Sequence, residues 1–137
     1  IRGFQWVEYY MFPKVMGLVE RGWNAHPDWE ALSGVAEQQA FDRDLALFYE
    51  KISVKEMPYW SRTGVNFRLP HPGLSVKDGL LYANTPIAGG QIRYTTDGTE
   101  PTIESVLWEA PVACGAAMVK AKLFFKDKES VTSLYMR

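Results

Sequence analysis

Tyr94-Thr95-Thr96-Asp97-Gly98-Thr99-Glu100-Pro101-Thr102 joins a β pattern to a tightly specified turn and then ends the strand. Ile92 and Tyr94 alternate with Gln91, Arg93 and Thr95, as a strand buried on one face requires. Asp97 offers a carboxylate to nearby backbone N–H groups, and Gly98 tolerates positive φ. Pro101 fixes φ and removes a donor, so the strand cannot run on. A loop of this kind can be a carboxylate-lined site; the simpler reading is a structural turn.

Working outward toward the C-terminus, the period of two continues. Val119, Ala121, Leu123 and Phe125 alternate with Lys120 and Lys122, giving the longest strand, with the apolar set facing inward. Lys126-Asp127-Lys128-Glu129 reads as a charged turn, and Val131 to Met136 as the return strand. Toward the N-terminus, Val106-Leu107-Trp108 and Leu80-Leu81-Tyr82-Ala83 read as strands. Lys77-Asp78-Gly79 is a hairpin whose Asp-Gly pair suits a primed turn. Val65, Phe67 and Leu69 alternate with Asn66 and Arg68 as a further strand before Pro70-His71-Pro72-Gly73. About seven short strands separated by turn residues predict a small antiparallel, Ig-like β-sandwich.

Before residue 61 the period is helical. Phe12, Val15, Met16, Val19 and Trp23 share a face opposite Lys14 and Arg21, which predicts a helix of roughly four turns that starts or kinks at Pro13. Asn24-Ala25-His26-Pro27-Asp28 is a loop, with Asp28 placed to cap the helix after it. That second helix runs from Trp29 or Val35 to Ile52, striped by Phe41, Leu45, Phe48 and Ile52. Met57-Pro58-Tyr59-Trp60 is read as non-helical, and Arg62-Thr63-Gly64 as a linker. The fold class is therefore α+β, with a helical segment over 1–60 and a β-sandwich over 61–137.

The 137 residues are 47% hydrophobic and 14% aromatic, enough for one sizeable core or two small ones. A net charge of −1 gives no electrostatic basis for a nucleic-acid partner. The single Cys114 excludes an internal disulfide and a multi-cysteine metal site. No apolar run reaches the length of a membrane span. The chain begins with Ile1 rather than Met, as expected of a piece of something longer.

Several side chains invite a functional reading. Glu37, Asp42 and Asp44 have no partner or pocket in the sequence and read as a solvated helix face. His26 and His71 sit beside prolines, far apart, without neighbouring ligands of zinc-site spacing. Trp60, Trp108 and Tyr82 could stack on a sugar ring, although core packing accounts for each. The site expectation is thus no catalytic, cofactor-binding or metal-binding residue in this chain.

Two blocks of residues carry a family resemblance. Glu8-Tyr9-Tyr10-Met11-Phe12-Pro13-Lys14, Leu18-Val19-Glu20-Arg21-Gly22-Trp23 and Pro27-Asp28-Trp29 resemble the segment that closes the catalytic (β/α)8 barrel of the chitobiase and β-N-acetylhexosaminidase glycoside hydrolases. Val65-Asn66-Phe67-Arg68-Leu69-Pro70, Asp78-Gly79, Ile92 through Pro101, Pro111 and Val119-Lys120-Ala121 resemble the β-sandwich that comes after that barrel in bacterial members. Trp108 stands where such domains often have Tyr.

The resemblance implies a parent that removes terminal N-acetylhexosamine with retention, the acetamido oxygen of the sugar acting as nucleophile beside an Asp-Glu pair. That pair and the family's Trp and Glu sugar-pocket residues belong before Ile1, so the chain alone is expected to be structural and inactive, with no cofactor. Glu20, Arg21 and Trp23 are expected to pack or ion-pair at the helix end. The implied partners are the catalytic barrel and, through it, N-acetylhexosamine-containing glycans, with self-association expected of the isolated chain. The implied location is periplasmic, cell-surface or secreted in a bacterium. The other reading is a carbohydrate-binding or adhesion-type sandwich with exposed aromatics as its platform.

Overall fold

The computed structural model describes residues 2–137. They divide into two units: one ends at Arg68 and takes in Pro86–Ala88, and the other comprises Leu69–Thr85 and Gly89–Arg137.

The helical unit contains α1 (Arg2–Met11), α2 (Lys14–Trp23), a 3₁₀ turn at Asp28–Ala31, α3 (Gly34–Lys51), a π turn at Ile52–Glu56 and α4 (Met57–Thr63). The helical portion is thus more finely divided than the expected pair. The aromatic opening is itself a helix, and α2 starts directly after Pro13, where a missing N–H has no consequence. The non-helical reading of Met57 to Trp60 is corrected. Pro58 lies in the first turn of α4, where its donor is not needed, and the wide π turn before it keeps the chain helical. The reward is burial one turn apart, Met57 at 0% and Trp60 at 4% exposure. Gly64 then closes α4 with φ 78°, its N–H reaching the Trp60 carbonyl.

The strand expected at Val65 to Leu69 does not form. The stretch is extended and buries Phe67 and Leu69, as the alternation implied, but it joins no ladder. The Asn66 N–H donates to Glu8 Oε2 at 3.2 Å, the Asn66 carboxamide donates to the Gln5 carbonyl at 3.0 Å, and the Arg68 N–H donates to the Phe12 carbonyl at 3.1 Å. Helix-end groups therefore satisfy a backbone that period alone would assign to a sheet. Trp60 packs between Phe12 and Phe67, with ring centroids 5.0 and 5.4 Å away.

The second unit holds two antiparallel sheets. β1 (Gly73–Lys77), β2 (Leu80–Asn84) and β5 (Val112–Ala113) form one in the order β1-β2-β5. β3 (Gln91–Thr95), β4 (Val106–Leu107), β6 (Met118–Phe125), β7 (Lys128–Glu129) and β8 (Ser133–Met136) form the other, in the order β4-β3-β6, with β7 and β8 both pairing with β6. The β1–β2 hairpin closes at Lys77↔Leu80 through Asp78 and Gly79, with φ 53° and 75°, as the Asp-Gly reading expected. The alternation of β6 also holds: Val119, Ala121 and Leu123 are fully buried, as is Leu81 on the facing sheet. Lys128 and Glu129, expected in a turn, are a short strand, because the reversal is confined to Lys126-Asp127 and Phe125 pairs directly with Lys128. The α+β class with a sandwich is what the structure has.

Where β6 changes partner from β7 to β8, the Leu123 N–H would lack a ladder acceptor. Ser130 supplies it: its buried hydroxyl accepts from Leu123 N at 2.9 Å and donates to the Val131 carbonyl at 2.8 Å.

Candidate functional site

Two concavities stand out among the described residues, one in each unit. The first lies between α2, the 3₁₀ turn and α3, encloses ≈ 260 Å³ and is walled by Trp29, Phe41, Leu45 and Phe48 over Gly17. Trp29 meets Phe41 edge-on at 5.3 Å. Arg21 donates to Glu30 Oε1 at 2.5 Å and sits 5.5 Å above the Trp29 ring. The expectation of an ion pair at the end of α2 thus falls on Arg21, and its hydrogen bond is the main reason that Glu30 titrates below the ordinary carboxylate value. Trp23, expected to pack or ion-pair in bracing the barrel, is 88% exposed in this chain. Glu20 and Asp44 also reach this wall. The volume is below the roughly 300–1,000 Å³ usual for ligand pockets, and the surface is mostly apolar.

The other sequence-level candidates are dispersed. Glu37 lies in the first turn of α3, Asp42 accepts from Gln38 at 2.8 Å, and His26 and His71 are exposed. Among the described residues no three His, Cys, Asp or Glu side chains approach closely enough to hold a metal ion.

The Asp97 loop is organised as a turn. Asp97 Oδ1 accepts from the Thr99 hydroxyl at 2.6 Å and from the Thr99 N–H at 3.0 Å, and these bonds hold its carboxyl below the usual range. Thr95 Oγ1 donates to the Thr99 carbonyl across the same loop. Glu100, next in line, accepts from Lys120 Nζ at 2.6 Å and from Thr132 Oγ1 at 2.5 Å, so it too titrates low, chiefly through Lys120. Glu100 thus ties the loop to β6 and to the segment before β8, while Asp97 braces the loop internally.

The second concavity is at one end of the sandwich, where the end of β2 (Ala83, Asn84, with Thr85) meets the start of β3 (Gln91, Ile92, with Gly90) and the end of β4 (Leu107, with Trp108). It encloses ≈ 440 Å³ and has no charged side chain in its lining. Trp108 is half-buried; its N–H donates to the Ile92 carbonyl at 2.9 Å, and its indole Nε1–H reaches the Leu81 carbonyl at 3.4 Å. Of the three aromatics singled out in the sequence, Trp60 is core, Tyr82 is 38% exposed on the outer side of β2, and Trp108 lines this cleft.

Comparison with known proteins agrees with this architecture. The family described as the Chitobiase/beta-hexosaminidase C-terminal domain matches residues 56–131. The chain is similar to the N,N'-diacetylchitobiase of Vibrio harveyi, 28% identical over 108 residues, covering 72% of this chain and 12% of that protein. It is also similar to a beta-hexosaminidase of Vibrio vulnificus, 30% identical over 110 residues, covering 67% of this chain and 13% of that protein. The chain therefore spans about an eighth of the length of these relatives. With the sandwich, its Asp-Gly turns and a family match over more than half of its length, the chain belongs to the chitobiase/beta-hexosaminidase C-terminal domain family.

Proposed function

We propose that this chain is the non-catalytic C-terminal part of a bacterial β-N-acetylhexosaminidase and that its helical unit braces the catalytic barrel. One observation carries the reading: a set of large apolar side chains on α1 and α2 lies open, with Phe4 64%, Trp6 60%, Leu18 74% and Trp23 88% exposed. Exposed apolar area of this extent marks a surface that another body covers. The small proportion of the relatives' length matched here supplies the candidate, the remainder of the same polypeptide.

In this reading the parent hydrolyses terminal N-acetylhexosamine residues by the substrate-assisted retaining route, the acid pair lies outside this chain, and the assembled enzyme works in the periplasm, at the cell surface or outside the cell. No helix among the described residues is long and apolar enough to cross a membrane. The test is hydrogen exchange on α1 and α2 in the isolated chain and in the longer enzyme that contains it. The reading expects strong slowing in the longer enzyme, and equal exchange in both would refute it.

A second reading, the sandwich as a carbohydrate-binding module, draws its support from the uncharged cleft beside Trp108. It is compatible with the first, because the two use different surfaces.

A further inference from the structure

We infer that the outer face of the β1–β2 hairpin is a contact surface for a neutral oligosaccharide of pyranose units, in which the Tyr82 ring stacks on one sugar while the Asn84 carboxamide and the Ser75 hydroxyl bond to sugar hydroxyls. The inference rests on the carbohydrate-binding reading and gives it an open face and named residues.

The ladder register brings these groups together. Ser75 stands opposite Tyr82, and Gly73 opposite Asn84. Side chains alternate along each strand, so Gly73, Ser75 and Lys77 share one side with Leu80, Tyr82 and Asn84. Burial agrees: Leu74, Val76, Leu81 and Ala83 are the covered positions, whereas Gly73, Ser75, Tyr82 and Asn84 are exposed. Residues opposite one another lie about 5 Å apart and next-but-one residues along a strand about 7 Å, so ring, amide and hydroxyl fall within the span of a disaccharide.

Three features separate this face from an ordinary exposed tyrosine. The residues beside Tyr82 are small, Ser75 directly across and Gly73 on the diagonal, so no tall side chain on β1 stands against that side of the ring. Among the described residues nothing bonds to the Tyr82 hydroxyl, the Asn84 carboxamide or the Ser75 hydroxyl, which leaves donors and acceptors together for ligand hydroxyls. Gly73 has a specific part: the Asn84 carboxamide lies over it, and a Cβ there would run into Asn84 Oδ1. Charge fits as well. Lys77 at the turn end is followed by Asp78, so the hairpin carries no net charge and gives an acidic chain no advantage. The ring supplies a broad contact that matches the apolar C–H face of a pyranose.

The test is titration of the 137-residue chain with chitotriose, cellotriose and trigalacturonate, read by amide chemical shifts. Saturable shifts are expected at Ser75, Tyr82 and Asn84 with the two neutral sugars, ahead of the acidic one. Tyr82→Ala should weaken binding about tenfold, as loss of an aromatic anchor does, and Tyr82→Phe should retain most of it. Asn84→Ala should weaken it about fivefold, the worth of one hydrogen bond. Gly73→Ala should do nearly the same with Asn84 intact, because it pushes the carboxamide aside; unchanged shifts along β6 report that each variant is folded. Absence of saturable binding to every sugar overturns both the inference and the carbohydrate-binding reading. Binding that survives Tyr82→Ala with shifts gathered around Trp108, or tighter binding of the acidic sugar, overturns the inference alone.

Discussion

Replacing Ser130 by Ala removes one oxygen, and the structure says what that oxygen does. It belongs to a residue 5% exposed and accepts the Leu123 N–H at 2.9 Å, at the point on β6 where β7 ends and β8 has not begun. Leu123 is itself fully buried, so no water is available to take over its N–H. An orphaned buried donor costs about 1–3 kcal/mol, and loss of the Ser130 hydroxyl bond to the Val131 carbonyl adds little, because Val131 is exposed and water can donate to that carbonyl instead. About 2 kcal/mol is therefore expected, which lowers the Tm of a domain this size by roughly 10 °C. Urea and thermal unfolding monitored by a sandwich probe give the equilibrium number, and native-state exchange of the Leu123 amide gives the local one. Ser130→Thr, which keeps the hydroxyl, should preserve most of the stability and the protection. A Ser130→Ala chain that loses less than about 0.5 kcal/mol, with Leu123 still protected, would refute the account of this junction.

Other expectations rest on the same structure. Trp60→Ala empties the space between Phe12 and Phe67 and should cost about 3–5 kcal/mol in urea denaturation, whereas Trp23→Ala should change the isolated chain by less than about 0.5 kcal/mol. Gly79→Ala forces a side chain into φ 75° and should cost about 1 kcal/mol by the same measurement. Glu30, Asp97 and Glu100 have folded-state pKa values below their ordinary 4.5, 3.8 and 4.5. The folded chain thus binds fewer protons than the unfolded one in that range. Their stabilisation is fully present above those values and is lost as pH falls through the lowered ones; Glu100→Gln should flatten the acid limb of a stability-versus-pH curve. The open face of α1 and α2 should drive concentration-dependent self-association in sedimentation runs, and Leu18→Ser with Trp23→Ser should suppress it.

How far the sequence carried depended on whether local period and tertiary pairing agreed. They agree on β6, where Val119, Ala121 and Leu123 alternate and are all buried, and at Asp78-Gly79, where the turn chemistry admits one geometry. They disagree at Phe67 and Leu69, whose strand-like alternation reflects burial alone, while the Asn66 and Arg68 N–H groups before and between them go to Glu8 and Phe12 rather than to a neighbouring strand. Pro58 misled for a related reason: its effect depends on which turn of a helix it occupies, and the π turn that places it in the first turn has no signature in composition. At the sandwich cleft, Trp108 was legible as an unplaced aromatic.

The central claim is that the chain lacks the reacting acid pair of the enzymes to which it is related. Two carboxylates, Glu20 and Asp44, do reach the wall of the small apolar hollow between α2 and α3, so they define the decisive control. The measurement is hydrolysis of 4-nitrophenyl N-acetyl-β-glucosaminide by rigorously purified chain. The account predicts release no faster than in buffer; saturable turnover that disappears in Glu20→Gln or Asp44→Asn would contradict it.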